Sequence, residues 1–238
     1  LLELHEIPGA PEWPGYATGL YHFAILLPSR AALGKWLRHW LDLGLPLPGQ
    51  GDHLVSEALY LNDPDGNGIE VYRDRPRSEW TWEGGTVRMA TDPVDIRGVL
   101  DAGAADGQPF DGLPAGTKIG HMHLQVGEIA AARRFYHEIL GFDVVAAMPS
   151  ALFLSAGGYH HHIGANVWHS RGLGSAPEGT AGLRYFTITL PSEQARDEVL
   201  ARLKAAGIEY DKTDAGVIVH DPWRNRIALQ VGPARLVS

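Results

Sequence analysis

The chain has 238 residues, of which 45% are hydrophobic and 20% charged, with 12 histidines, no cysteine and a formal net charge of −8. That length and balance suit a globular chain that buries a core without staples; the missing thiols exclude disulfides, zinc–thiolate sites, iron–sulfur clusters and a cysteine nucleophile, and the negative charge argues against a nucleic-acid surface. No apolar run approaches the roughly 20 residues of a helical membrane span, and any metal must be held by His, Asp or Glu.

The chain opens on Leu1 without a charged leader. Leu1-Leu2-Glu3-Leu4-His5-Glu6 reads as a strand ahead of the breaker Ile7-Pro8-Gly9-Ala10-Pro11, so residues 1–16 are expected to be the remnant of an upstream unit. Gly19-Leu20-Tyr21-His22-Phe23-Ala24-Ile25-Leu26-Leu27-Pro28-Ser29 reads as a strand closed by a serine that caps a helix over residues 31–42, with Gly44 just past its end. Asn62-Asp63-Pro64-Asp65-Gly66-Asn67-Gly68-Ile69-Glu70-Val71 then reads as strand, tight Asp-Pro turn, strand.

Residues 76–116, rich in Asp, Gly and Pro, read as a join. A second copy starts at Ile119-Gly120-His121-Met122-His123-Leu124-Gln125-Val126, with a helix over residues 130–139 closing on Gly141 and strands over 151–156 and 160–168. In the third copy, Gly182-Leu183-Arg184-Tyr185-Phe186-Thr187-Ile188-Thr189-Leu190-Pro191-Ser192 repeats the first run. A helix over 193–206 closes on Gly207, and His220-Asp221-Pro222-Trp223-Arg224-Asn225-Arg226-Ile227-Ala228-Leu229 answers the first Asp-Pro turn. A period of this length marks a repeated supersecondary unit.

These repeats resemble the vicinal-oxygen-chelate superfamily of glyoxalases, bleomycin-resistance proteins and extradiol dioxygenases, and within it the catechol 2,3-dioxygenase-like proteins. The resemblance covers nearly the whole chain. It implies an α+β fold of repeated βαβββ modules paired into open, cup-like mixed β-sheets with helices outside. Residues 17–75 would be the module carrying metal ligands, 76–116 a linker, 117–170 a second module and 181–232 a degenerate third.

In that superfamily the ligands come from the first and last strands of the modules. Carried over position by position, the first-strand residues are His22, His121 and Tyr185, and the last-strand residues are Glu70 in copy one and Ala228 in copy three. Copy three thus lacks both ligands, and the resemblance implies a site of His22, His121 and Glu70. Two imidazoles and one carboxylate form the facial triad of non-haem Fe(II) oxygenases, which leaves positions free for a chelating catecholate and O2. Each of the three has an ordinary alternative as a structural strand residue, and a lost upstream module could replace His121 as the source of the second imidazole.

The stretch from Asp52 to Glu70 resembles the extradiol dioxygenase motif of a His, a Tyr, an Asp-Pro-x-Gly turn and a Glu ligand. It implies His53 as an acid/base beyond the ligands, an imidazole being able to take and return a proton near neutral pH. Tyr60 would hydrogen-bond substrate or oxygen; the plain reading of both is a hairpin with a surface His and a core Tyr. In Tyr159-His160-His161-His162 the strand alternation would put His160 and His162 on one face with Asn166 and Trp168, and one or both are expected to line the pocket, binding substrate oxygens or orienting a ligand imidazole, the plain alternative being a polar network at the module interface. His123 is a lower-ranked rival ligand. Trp36 and Trp40 read as core, Arg73, Asp74, Arg75 and Arg77 as a solvated or ion-paired strand exit, and Tyr72 and Trp168 as candidate apolar walls.

The expected function is extradiol cleavage of a catechol-like aromatic with Fe(II) and O2, in a cytoplasmic homo-oligomer with no nucleic-acid or membrane partner. A first alternative is a glyoxalase-type lyase or isomerase using Mn(II), Ni(II) or Zn(II), with His123 or His162 as a fourth ligand. A second is a metal-free aromatic-binding protein of the bleomycin-resistance type.

Overall fold

The structure is a computed structural model and describes residues 1–214 and 216–232. The fold is mixed α+β, and the chain divides into two compact units: Leu1–Glu6 with Tyr21–His123, and Ile7–Leu20 with Leu124–Ser238.

In the first unit, β1 (Gly19–Leu27) leads into α1 (Arg30–Asp42), followed by β2 (Gly49–Asp52), β3 (Ser56–Asn62) and β4 (Gly68–Asp74). Ser29 starts α1 by accepting the Ala32 N–H at 3.1 Å, and Gly44, at φ +67, turns the chain away after its end. A hairpin of β5 (Trp82–Glu83) and β6 (Thr86–Val87) precedes α2 (Ile96–Ala105) and β7 (Lys118–Gln125). The join over residues 76–116 is therefore not bare chain.

The strands lie in the order β2-β3-β4-β1-β7. β1 runs parallel to β4, with Ala24 opposite Glu70 and Leu26 opposite Tyr72. β3 runs antiparallel to β4, with Tyr60 opposite Glu70 and Ala58 opposite Tyr72. Because side chains alternate across a strand, this register sorts the sequence onto two faces. Ile25, Leu27, Leu59, Leu61 and Val71 pack under the helices with Leu33, Trp36, Leu37, Val94 and Val99. His22, Ala24, Leu26, Ala58, Tyr60, Glu70 and Tyr72 occupy the other face. Trp36 and Trp40 stack at 5.3 Å, and Trp36 belongs to that core.

The helix-side face also holds an ionic knot. Glu57, only 1% exposed, accepts from Arg73 Nε at 2.7 Å and from Arg30 Nε at 2.9 Å. Arg75 pairs with Asp52 at 2.5 Å, so the expected ion-paired exit holds for Arg73 and Arg75, while Arg77 lies 5.5 Å over the Trp80 ring.

In the second unit, α3 (Ile129–Ala132) widens into a π-helical stretch over Arg133–Ile139 and leads to β8 (Asp143–Met148), β9 (Ala151–Ser155) and β10 (Ile163–Asn166). β8, β9 and β10 pair antiparallel in turn. Then come β11 (Phe186–Leu190), α4 (Glu193–Ala205), β12 (Tyr210–Thr213), β13 (Gly216–His220) and β14 (Arg226–Val231). These four strands form a sheet in the order β11-β14-β13-β12, with β11 parallel to β14. That is the arrangement of β1 to β4, down to the cap: Ser192 accepts the Ala195 N–H at 3.1 Å.

The two Asp-Pro turns match bond for bond. Asp63 accepts from Asp65 N, Asn67 N and Asn67 Nδ2, and Asp221 accepts from Trp223 N, Asn225 N and Asn225 Nδ2. Gly66 and Arg224 sit at the same left-handed position, at φ +84 and +65.

Two local expectations fail. Leu1–Glu6 belongs to no strand; its alternation supplies propensity, but a strand also needs ladder bonds to a neighbour, and Leu1, Leu2 and Leu4 are exposed. The strand expected over 160–168 begins only at Ile163. Gly157 and Gly158 are both left-handed, at φ +64 and +66, and the chain after them stays irregular through His162.

Candidate metal centre

Three strands of the first unit bring His22, Glu70 and His121 together. The Glu70 Oε2 lies 3.0 Å from His22 Nε2 and 3.1 Å from His121 Nε2, and the two Nε2 atoms are 3.4 Å apart. All three residues are buried, and they form a group of donors able to hold a metal ion. Cis ligands each about 2.1 Å from one ion lie about 3.0 Å apart, so the observed triangle matches one face of a coordination sphere. The residues fit a mononuclear divalent metal.

The local sequence accounts for the convergence. Glu70 comes two residues after Gly68, where a Cβ would run into the Tyr21 carbonyl and lie 3.1 Å from His22 Cβ. Without a side chain there, β4 starts close against β1 and carries its carboxylate to the imidazole. Burial acts to raise the Glu70 pKa, but the fields and hydrogen bonds of His121 and His22 outweigh it and hold the carboxyl well below the usual range.

A polar chain leads away from Glu70. Tyr60 lies opposite it on β3, with its ring 5.6 Å from that of His22. Its hydroxyl is 2.6 Å from His53 Nε2, and His53 Nδ1 is 2.7 Å from the Ala90 carbonyl. A carbonyl only accepts, so His53 carries its proton on Nδ1, and in the neutral ring Nε2 accepts from Tyr60. Burial first, and then the Glu70 charge, push the Tyr60 pKa well above its ordinary value.

His123 is buried beside the triad, its ring 4.9 Å from His22, but it is not among the converging donors. Burial, reinforced by His22 and His121, pushes its pKa well down, which leaves it a neutral imidazole.

His160 and His162 lie in the second unit, in the irregular stretch before β10 rather than on it, so the alternation that grouped them with Asn166 and Trp168 does not apply. His160 is fully buried, with Nδ1 2.8 Å from His161 Nδ1. His162 Nδ1 accepts the Ala156 N–H at 3.2 Å. Trp168 is 44% exposed, a poor pocket wall within its unit. In copy three, Ala228 is buried with Ile218 against Tyr185, an apolar patch at the position where copy one carries Glu70.

Sequence reasoning missed Gly68 and Gly120 at this site and gave Tyr72 only as a wall. The signal for the glycines was their place, two residues before Glu70 and one before His121.

A profile of the Glyoxalase/Bleomycin resistance protein/Dioxygenase superfamily matches residues 118–229. The chain belongs to that superfamily, and within it is a catechol 2,3-dioxygenase-like oxidoreductase. It is 49% identical over 226 residues, 93% of this chain and 78% of the other, to the catechol-2,3-dioxygenase of Bacillus subtilis (strain 168). It is 25% identical over 119 residues to biphenyl-2,3-diol 1,2-dioxygenase 3 of Rhodococcus globerulus, covering 48% of this chain and 63% of that one. A solved chain from Bacillus subtilis subsp. subtilis str. 168, described as a candidate dioxygenase, shares the fold with a TM-score of 0.60 at 12% identity, over 95% of this chain and 66% of that one. Among the described residues no helix is long and apolar enough to cross a membrane.

Proposed function

We propose that this protein is an extradiol ring-cleaving dioxygenase that uses Fe(II) and O2 on a catechol-like aromatic, with His22, Glu70 and His121 holding the metal. The observation that carries the reading is the buried triangle of one carboxylate oxygen and two imidazole nitrogens with edges of 3.0, 3.1 and 3.4 Å. The names of the 49% and 25% identical relatives support the same class.

Bound iron would supply Lewis acidity, redox capacity and coordination positions for substrate and O2. The chain's own groups do the rest. One ionised carboxylate and two neutral imidazoles offset only part of a divalent charge, which favours a catecholate as the incoming ligand. Tyr60, held in its protonated form at rest by burial and by Glu70, has its hydroxyl 2.6 Å from His53 Nε2, the contact through which a proton would pass. His53, its Nδ1 proton held by the Ala90 carbonyl, is placed to receive a proton at Nε2 through Tyr60 and return it. Neutral His123 adds no competing charge beside His22.

The test is anaerobic loading with Fe(II), then addition of catechol and O2. A yellow ring-fission product is expected. Iron-loaded protein that yields no ring-opened product from any catechol would sink the reading in favour of a lyase or binding protein.

A further inference from the structure

We propose that Tyr72 is a positioning residue that fixes the His121 imidazole, and that Gly120 is the position that makes room for it; this rests on the metal-site reading above. Tyr72 is on β4 and His121 on β7, with β1 lying between them in the sheet. Neighbouring strands are about 4.8 Å apart, so the Tyr72 side chain must reach across β1. On β1 it passes a small residue, Ala24, which is fully buried and clusters with Leu26 and Tyr72. The fully buried Tyr72 ring comes to 4.9 Å from the His121 ring, tilted by 56°. Its hydroxyl lies where a Cβ on Gly120 would stand, with Cζ only 2.8 Å from that point and Leu26 Cβ at 3.1 Å.

Gly120 has no positive φ, so its backbone suits any residue, and it is the space claimed chiefly by Tyr72, with Leu26 close behind, that demands glycine. A residue one bond from the ligand backbone and a ring against the ligand imidazole are thus matched to each other. Groups that orient a metal-binding imidazole affect metal affinity by about 10–100-fold.

The experiment titrates Co(II) anaerobically into the full chain, reading affinity and the visible ligand-field spectrum, for wild type, Y72F, Y72L, G120A, G120A/Y72L and E70Q. Y72L and G120A are each expected to weaken binding at least about tenfold and to shift the spectrum, with Y72F close to wild type because the ring remains. The double variant should bind no more weakly than Y72L, since the aromatic side chain that the added methyl group would strike is already gone. Wild-type affinity and spectrum in Y72L, or in G120A if Y72L does not fold, would overturn the proposal, as would additive losses in the double variant. If E70Q alone loses the metal, the triad stands and only the positioning role fails. If E70Q binds like wild type, the triad reading fails and takes this one with it.

Discussion

The Nε2 atoms of His22 and His121, 99 positions apart in the chain, lie 3.4 Å from each other with a Glu70 oxygen within 3.1 Å of both. Nothing local forces this approach. It follows from two equivalent first strands, β1 and β7, lying side by side in one sheet, with β4 pressed against β1 through Gly68. One buried carboxylate oxygen and two imidazole nitrogens this close together offer a divalent cation a matched set of donors.

Metal should therefore stabilise the fold through Glu70. A ligand that binds only the native state contributes about 2.7 kcal/mol at one hundred times its dissociation constant. Wild-type protein is expected to show a rise in Tm with Fe(II) or Co(II) that a chelator reverses, and Glu70→Gln is expected to show none. Thermal unfolding with and without metal checks it; an equal rise in the variant would place the metal elsewhere.

Much of this was legible from repetition. Ser29 and Ser192, Gly44 and Gly207, and the twin Asp-Pro turns announced the βα units and their boundaries to within a residue or two, because caps and turns obey local rules. What escaped depended on non-local pairing. The role of Tyr72 requires knowing that β1 lies between β4 and β7. The burial of Glu57 requires Arg73 opposite it and Arg30 from the helix start. Alternation alone puts His160 and His162 on a strand, but the consecutive left-handed Gly157 and Gly158 break the chain just before them. α2 lay unseen in the join, since its packing rests on glycines that ordinarily argue against a helix.

Those glycines make a prediction of unusual sign. Gly→Ala in a helix normally adds up to about 1 kcal/mol. Here a Cβ on Gly34 would drive into the Val99 carbonyl of α2, and one on Gly103 would come within 2.5 Å of the Gly34 carbonyl carbon. Gly34→Ala and Gly103→Ala are each expected to destabilise the protein by at least about 2 kcal/mol through overpacking, measured by urea unfolding. A gain in either would mean the helices part without cost.

The Glu57 knot should respond asymmetrically. Removing one partner of a buried pair costs about 3–5 kcal/mol, because the other charge stays behind. Arg73→Met leaves Glu57 with the part-exposed Arg30 and Arg75 and is expected to lie near the lower end of that range. The double variant Glu57→Gln with Arg73→Met should recover part of the loss. A double-mutant cycle in denaturant measures it, and strictly additive losses would show that the knot is not coupled.

Asp221 sets a pH dependence with a defined sign. Burial raises its pKa despite hydrogen bonds from Asn225, Tyr136 and Trp223 that act to lower it. A carboxyl whose folded pKa lies above the unfolded value binds its proton more tightly in the folded protein. Its contribution is therefore fully present below the unfolded value, about 3.9, and is lost as the pH climbs through the raised folded value. Asp221→Asn changes hydrogen bonding, including the 2.8 Å bond from Tyr136, by an amount that does not vary with pH, and it removes the titration. The unfolding free energy of wild type minus that of the variant is thus expected to fall with rising pH just above 3.9 and then level off. Urea unfolding of both proteins at matched pH values reads this difference, and a flat or rising curve would show that the Asp221 carboxyl is not raised.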